Sequence, residues 1–161
     1  MNRALFAIAA SIGAALVTAA CGSSAGSGPY RATNPSTGST GTTAATVTIA
    51  NSQVGKILVD GNGKTLYLFE ADRSSVSSCY NSCLTVWPAL ITGGTPVAGQ
   101  GVNASLLTTT KRTDGTLEVV YNGHPLYYFT GDKQAGDVTG QDLNSFGALW
   151  FVLAPNGSKI G

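Results

Sequence analysis

VDGNGKTLYLFEAD, residues 59–72, and VVYNGHPLYYFTGD, residues 119–132, are two versions of one phrase. At an offset of 60 residues, Val59 matches Val119, and Asn62-Gly63 matches Asn122-Gly123. Leu66, Tyr67, Phe69 and Asp72 then match Leu126, Tyr127, Phe129 and Asp132 without a gap. Repetition at that density predicts one supersecondary unit used twice. Asn-Gly supplies the positive φ angles of a tight hairpin turn, so each copy reads as strand, turn, strand. The strands are expected over 56–59 and 65–69 in the first copy, and over 116–121 and 126–129 in the second.

Side chains alternate across a strand. Tyr67 and Phe69 therefore share one face, with Leu66 and Leu68 on the other; Tyr127 and Phe129 repeat this against Leu126 and Tyr128. Apolar groups on both faces place these strands centrally, or between two packed layers. Farther out, Thr46–Ala50 and Leu106–Lys111 read as upstream strands, and Leu149–Leu153 as a late strand ending at Pro155. Residues 74–86 leave room for one short helix near Cys79 and Cys83. The expected fold is all-β, with duplicated antiparallel hairpin or meander units packed around one core. Trp87 and Trp150 fill space in comparable late positions.

That domain is expected over residues 46–161. Ahead of it, residues 1–20 read as an export signal: a short start containing Arg3, an apolar stretch from Ala4, and small residues at its end. Val17-Thr18-Ala19-Ala20-Cys21 resembles the bacterial lipobox, with Thr18 where Leu is usual, which makes Cys21 the lipidated residue. Several acyl chains are needed for durable anchoring, since one holds only marginally. Residues 22–45 are rich in Gly, Ser and Thr, and Tyr30 is their only large apolar or aromatic side chain. A segment so poor in apolar area cannot offset its ordering entropy, so it reads as a disordered tether spanning roughly 25–30 Å. The membrane is thus the first expected partner, through lipid on the extracytoplasmic side.

Charge gives no footprint for nucleic acid. Without Arg3 the mature part carries as many basic as acidic side chains, and its only basic cluster is Lys111-Arg112. Nucleic acid is not expected.

The paired Tyr67-x-Phe69-x-x-Asp72 and Tyr127-x-Phe129-x-x-Asp132 resemble the repeated Yx(F/W/Y)xxD signature of secreted bacterial lipoproteins of unknown function. Cys79, Cys83 and Trp87-Pro88 fit that family, as do Gly136-Asp137-Val138, Gly140-Gln141, Gly147 and Trp150. The resemblance covers about residues 53–157 and implies a cell-envelope lipoprotein without an established activity, substrate or cofactor.

No catalytic apparatus is legible. There is no nucleophile elbow, zinc motif, phosphate loop or dinucleotide fingerprint. The expected module is non-enzymatic, with no cofactor and no metal; it is structural, or it binds an envelope glycan, small molecule or protein. Cys79 and Cys83 are expected to form a disulfide after export; a redox or metal-handling role for the pair, with His124, is the alternative. Asp72 and Asp132 are expected to accept backbone N–H bonds and pin the following turns. Asp132, Asp137 and Asp142 could together ligate calcium in a flexible loop, and Glu70 with Glu118 could act as an acid–base pair if the fold joined them. Exposure of Tyr80, Tyr121 or Tyr128 would favour recognition, and burial a structural role.

Overall fold

The computed structural model describes residues 43–161. The signal segment, Cys21 and the tether as far as residue 42 lie outside the described residues. The elements follow in order: β1 (Thr46–Ser52), β2 (Gly55–Asp60), β3 (Tyr67–Phe69), the single-turn helix α1 (Ser82–Val86), β4 (Ile91–Thr92) and β5 (Val97–Ala98). A 3-10 turn over Ala104–Leu106 leads into β6 (Leu107–Lys111), β7 (Leu117–Tyr121), β8 (His124–Pro125), β9 (Leu143–Ser145) and β10 (Ala148–Val152). Three small sheets result, ordered β2-β1-β5, β3-β10-β9 and β4-β7-β6, with β8 added to β7. Apart from the short β1–β5 contact, every strand pair is antiparallel. Among the described residues the architecture is all-β, with one short α-helix beside Cys79 and Cys83.

Only the second hairpin turns on Asn-Gly as expected; in the first the turn falls on Gly61-Asn62, and of Asn62-Gly63 only Gly63, at φ 82°, is left-handed. Asn122 and Gly123 hold φ of 50° and 84°, and farther along the hairpins Leu66 N–H donates to Leu58 O and Leu126 N–H to Val119 O. One residue later each strand leaves its own hairpin. Tyr67 N–H donates to Tyr127 O at 2.8 Å, and Tyr127 N–H returns to Tyr67 O at 3.0 Å. The two copies are thus sewn together at their tyrosines. This explains why the strand expected over 65–69 is regular only at Tyr67–Phe69, and why that expected over 126–129 is not a strand: it keeps only isolated bridges at Tyr127, and the regular pair His124–Pro125 lies ahead of it.

The core divides across these central strands. Tyr67, Phe69 and Tyr127 pack with Ile57, Val59, Trp87, Trp150, Val152 and the cystine. Leu66, Leu68 and Leu126 pack on the opposite side with Leu58, Leu90, Val119, Tyr121, Phe151 and Leu153. Period-two alternation of side chains produces the division.

Candidate functional site

The signature residues meet across the repeats. Tyr67 OH donates to Asp132 Oδ2 at 2.7 Å, and Tyr127 OH donates to Asp72 Oδ2 at 2.8 Å. The other oxygen of each carboxylate holds the loop that follows it. Asp72 Oδ1 accepts from Ser78 N–H and Oγ, both at 2.7 Å. Asp132 Oδ1 accepts from Thr139 N–H at 2.9 Å and Thr139 Oγ1 at 2.6 Å. Burial raises the titration of Asp72 against the hydrogen bonds from Ser78 and Tyr127, and burial is also the main cause that raises both phenols. The loop-pinning role was legible in the sequence; the reciprocal phenol was not. Its one signal was that each copy carries a donor and an acceptor at matching places.

The third signature position, Phe69 or Phe129, caps a stack of four rings. Phe129 lies on Trp87 at 4.4 Å, Trp87 on Trp150 at 3.9 Å, and Trp150 on Phe69 at 4.0 Å between centroids. Tyr67 meets Trp87 edge-on, and Tyr127 meets Trp150 in the same way. Such contacts add about 0.5–1.5 kcal/mol each beyond area burial. The stack joins the equivalent edges of the two copies.

A groove opens at each end. The larger, about 660 Å³, is bordered by Lys64, Tyr128, Phe129, Thr130, Asp132 and Lys133, with Asp60, Asn62 and Pro88. The smaller, about 350 Å³, is bordered by His124, Leu68, Phe69, Glu70, Asp72 and Arg73, with Lys159. The first six residues of each series correspond one to one at the 60-residue offset. Each groove is therefore built from the signature strand of one copy and the hairpin turn of the other. His124 sits in the smaller one, half-buried, and burial lowers its titration.

A second polar cluster lies inside the domain. Arg112 Nη1 donates to Glu118 Oε2 at 2.5 Å and to Ser77 Oγ at 2.6 Å, while Nη2 reaches Cys79 O at 2.6 Å. Its guanidinium covers the ring of Tyr80 at 4.3 Å. Ser77 Oγ stands 2.6 Å from Tyr127 OH, which links this cluster to Asp72. Glu118 Oε1 is buried without a partner among the described residues. Burial outweighs the attraction of Arg112 and pushes the carboxyl up to about 7.

The remaining sequence candidates separate. Glu70 pairs with Lys159 at the surface while Glu118 is buried with Arg112, so the fold does not join the two glutamates. Asp137 accepts from the N–H groups of Lys133 and Gln134 and thereby closes its own turn. Among the described residues no group of three His, Cys, Asp or Glu side chains is placed to hold a metal ion. Cys79 and Cys83 are bonded to each other and buried. Of the three tyrosines, Tyr121 is buried, Tyr80 lies under Arg112, and Tyr128 is half-exposed in the larger groove.

A family model described as a secreted repeat of unknown function, and named for lipoproteins, matches residues 48–91 and again 108–154. Neither a curated protein nor a solved structure matches the chain.

Proposed function

The chain belongs to this family of secreted lipoprotein repeats, and from that premise we propose a non-enzymatic, lipid-anchored binding module that takes its ligand in the groove beside Tyr128. Family membership puts it on the extracytoplasmic side, anchored to a membrane. In this reading residues 1–20 direct export, Cys21 carries the lipid, and a polar tether spaces the domain from the bilayer. Among the described residues, Thr43 O already accepts from Gly93 N–H and Ala45 O from Val97 N–H.

One observation carries the binding reading. Tyr128 is half-exposed in a groove of about 660 Å³, yet its ring is fixed, because its OH donates to Asp60 Oδ2 at 3.0 Å and its N–H to Pro88 O at 2.8 Å. Rigid aromatic surface left open in a concavity lowers the entropy cost of binding.

Two measurements test the proposal. Mass spectrometry of the chain purified from membranes should show cleavage before Cys21, acylation of that residue and an intact Cys79–Cys83 bond. Retention of the unlipidated chain from Gly22 onward, added to washed envelope fractions, should drop when Tyr128 is replaced by Leu, the residue at the equivalent place in the other copy. Equal retention of the two proteins would end the binding reading.

A further inference from the structure

Resting on that reading, we infer that the larger groove binds an acidic carbohydrate, a sugar chain bearing carboxylate or phosphate groups. Its counterpart has lost this capacity to the protein's own Lys159.

The two grooves share one frame, so their differences are informative. Where the larger has Tyr128 and Thr130, the smaller has Leu68 and Glu70. Leu68 and Phe69 are 3% and 4% exposed, which leaves no open ring face. The Glu70 carboxylate takes the ammonium of Lys159, and Arg73 Nη1 donates to Glu70 O at 3.2 Å. Lys159 also lies 4.4 Å from the Phe151 ring. In the smaller groove the Glu70 carboxylate and the Lys159 ammonium thus satisfy each other.

In the larger groove both carboxylates are held by neutral donors, while the two ammoniums have no carboxylate partner among the described residues. Asp60 accepts from the N–H groups of Asn62 and Lys64 and from Tyr128 OH. Asp132 is committed to Thr139 and Tyr67. Lys64 and Lys133 are exposed, and neither pairs with a carboxylate among the described residues. Residues 1–42 contain no Asp or Glu that could reach them. The Lys64 ammonium stands 6.0 Å from the Tyr128 ring, and that of Lys133 donates to Thr130 O at 2.6 Å. A flexible ammonium accepts a carboxylate or a phosphate with little geometric demand.

Ring chemistry completes the assignment. The π face of an aromatic ring is negative and suits the C–H-rich face of a sugar. Tyr128 and Phe129 present such surface, with Asn62 and Thr130 at hand for hydroxyls. A second hollow of about 360 Å³ shares Asp60, Asn62 and Tyr128, so open space continues on both sides of the tyrosine. That shape fits a chain laid across Tyr128 better than a compact ligand.

The test is calorimetric titration of the full mature protein in detergent with three probes. Oligogalacturonate carries rings and charge, a neutral malto-oligosaccharide carries rings alone, and poly(glycerol phosphate) carries charge alone. The expected result is one site for oligogalacturonate, weakened by salt, and much weaker binding of the other two. Lys64→Ala and Lys133→Ala, both at exposed positions, should each weaken it about tenfold or more, the usual loss for a charge-assisted contact. Tyr128→Leu should act likewise, whereas Arg73→Ala and His124→Ala should change nothing. Poly(glycerol phosphate) binding as tightly as oligogalacturonate would reduce the site to an anion patch and overturn the carbohydrate assignment. Preference for the neutral sugar would overturn the acidic one. Two sites per chain, or a self-associated protein that Tyr128→Leu makes monomeric, would also overturn it. If oligogalacturonate fails to bind while envelope retention still depends on Tyr128, the ligand class is wrong and the binding module stands.

Discussion

A buried phenol is tolerated only where its hydroxyl finds an acceptor, and a buried carboxylate only where donors meet it. Tyr67 and Tyr127 satisfy both demands for each other's copy through Asp132 and Asp72. Tyr67→Phe leaves one oxygen of Asp132 without its donor and is expected to cost about 1–2 kcal/mol, read from urea denaturation. Tyr127→Phe should cost a similar amount. The Arg112–Glu118 pair responds differently. Removing the cation alone, as Arg112→Met, strands a carboxylate and should destabilise by about 3–5 kcal/mol, whereas Arg112→Met with Glu118→Leu should restore most of the loss. The native state also holds the Glu118 proton more tightly than the unfolded chain does, at about 7 against the ordinary 4.5. Its contribution to stability is therefore greatest below about 4.5 and declines as pH rises through 7. Urea midpoints between acidic and neutral pH should show that decline, and Glu118→Gln should flatten it.

Among elements, the segment from Cys79 to Trp87 decides where the aromatic stack begins. The helix is a single turn, too short to hold itself; the Cys79–Cys83 bond and the Trp87 N–H to Cys83 O bond at 2.8 Å fix it. Closing so short a loop contributes about 2 kcal/mol by chain entropy, so replacing both cysteines by Ala should lower stability by that amount. Reductant should then have no further effect on the variant's denaturation curve. On the other side of the stack Gly140 leaves space for the rings: a Cβ there would sit 2.7 Å from Trp87 Cη2 and 3.1 Å from Phe129. Gly140→Ala should cost about 1–3 kcal/mol through overpacking. Near-ultraviolet circular dichroism should register the displaced tryptophan.

At the scale of the molecule, neither copy is complete alone. The Tyr67–Tyr127 backbone pair, the two phenol–carboxylate bonds and the four-ring stack all cross between copies. Unfolding should therefore follow one cooperative transition. Fragments 43–103 and 104–161 should each lack native near-ultraviolet signal, and mixing them should recover it. A cooperative transition in either fragment by itself would contradict this account.

The sequence alone determined what local geometry controls. Period-two alternation gave the two faces of the central strands, Asn-Gly gave the second hairpin its turn, and the repeat gave two related units. Those features depend on residues a few positions apart, whose relations the backbone enforces directly. The tertiary structure decided which tyrosine meets which aspartate, that Glu70 faces Lys159, and that Lys64 and Lys133 flank one groove. The hydrogen-bonded partners lie 55, 65 and 89 residues apart. Only the packing of one copy on the other brings them within hydrogen-bonding or electrostatic reach.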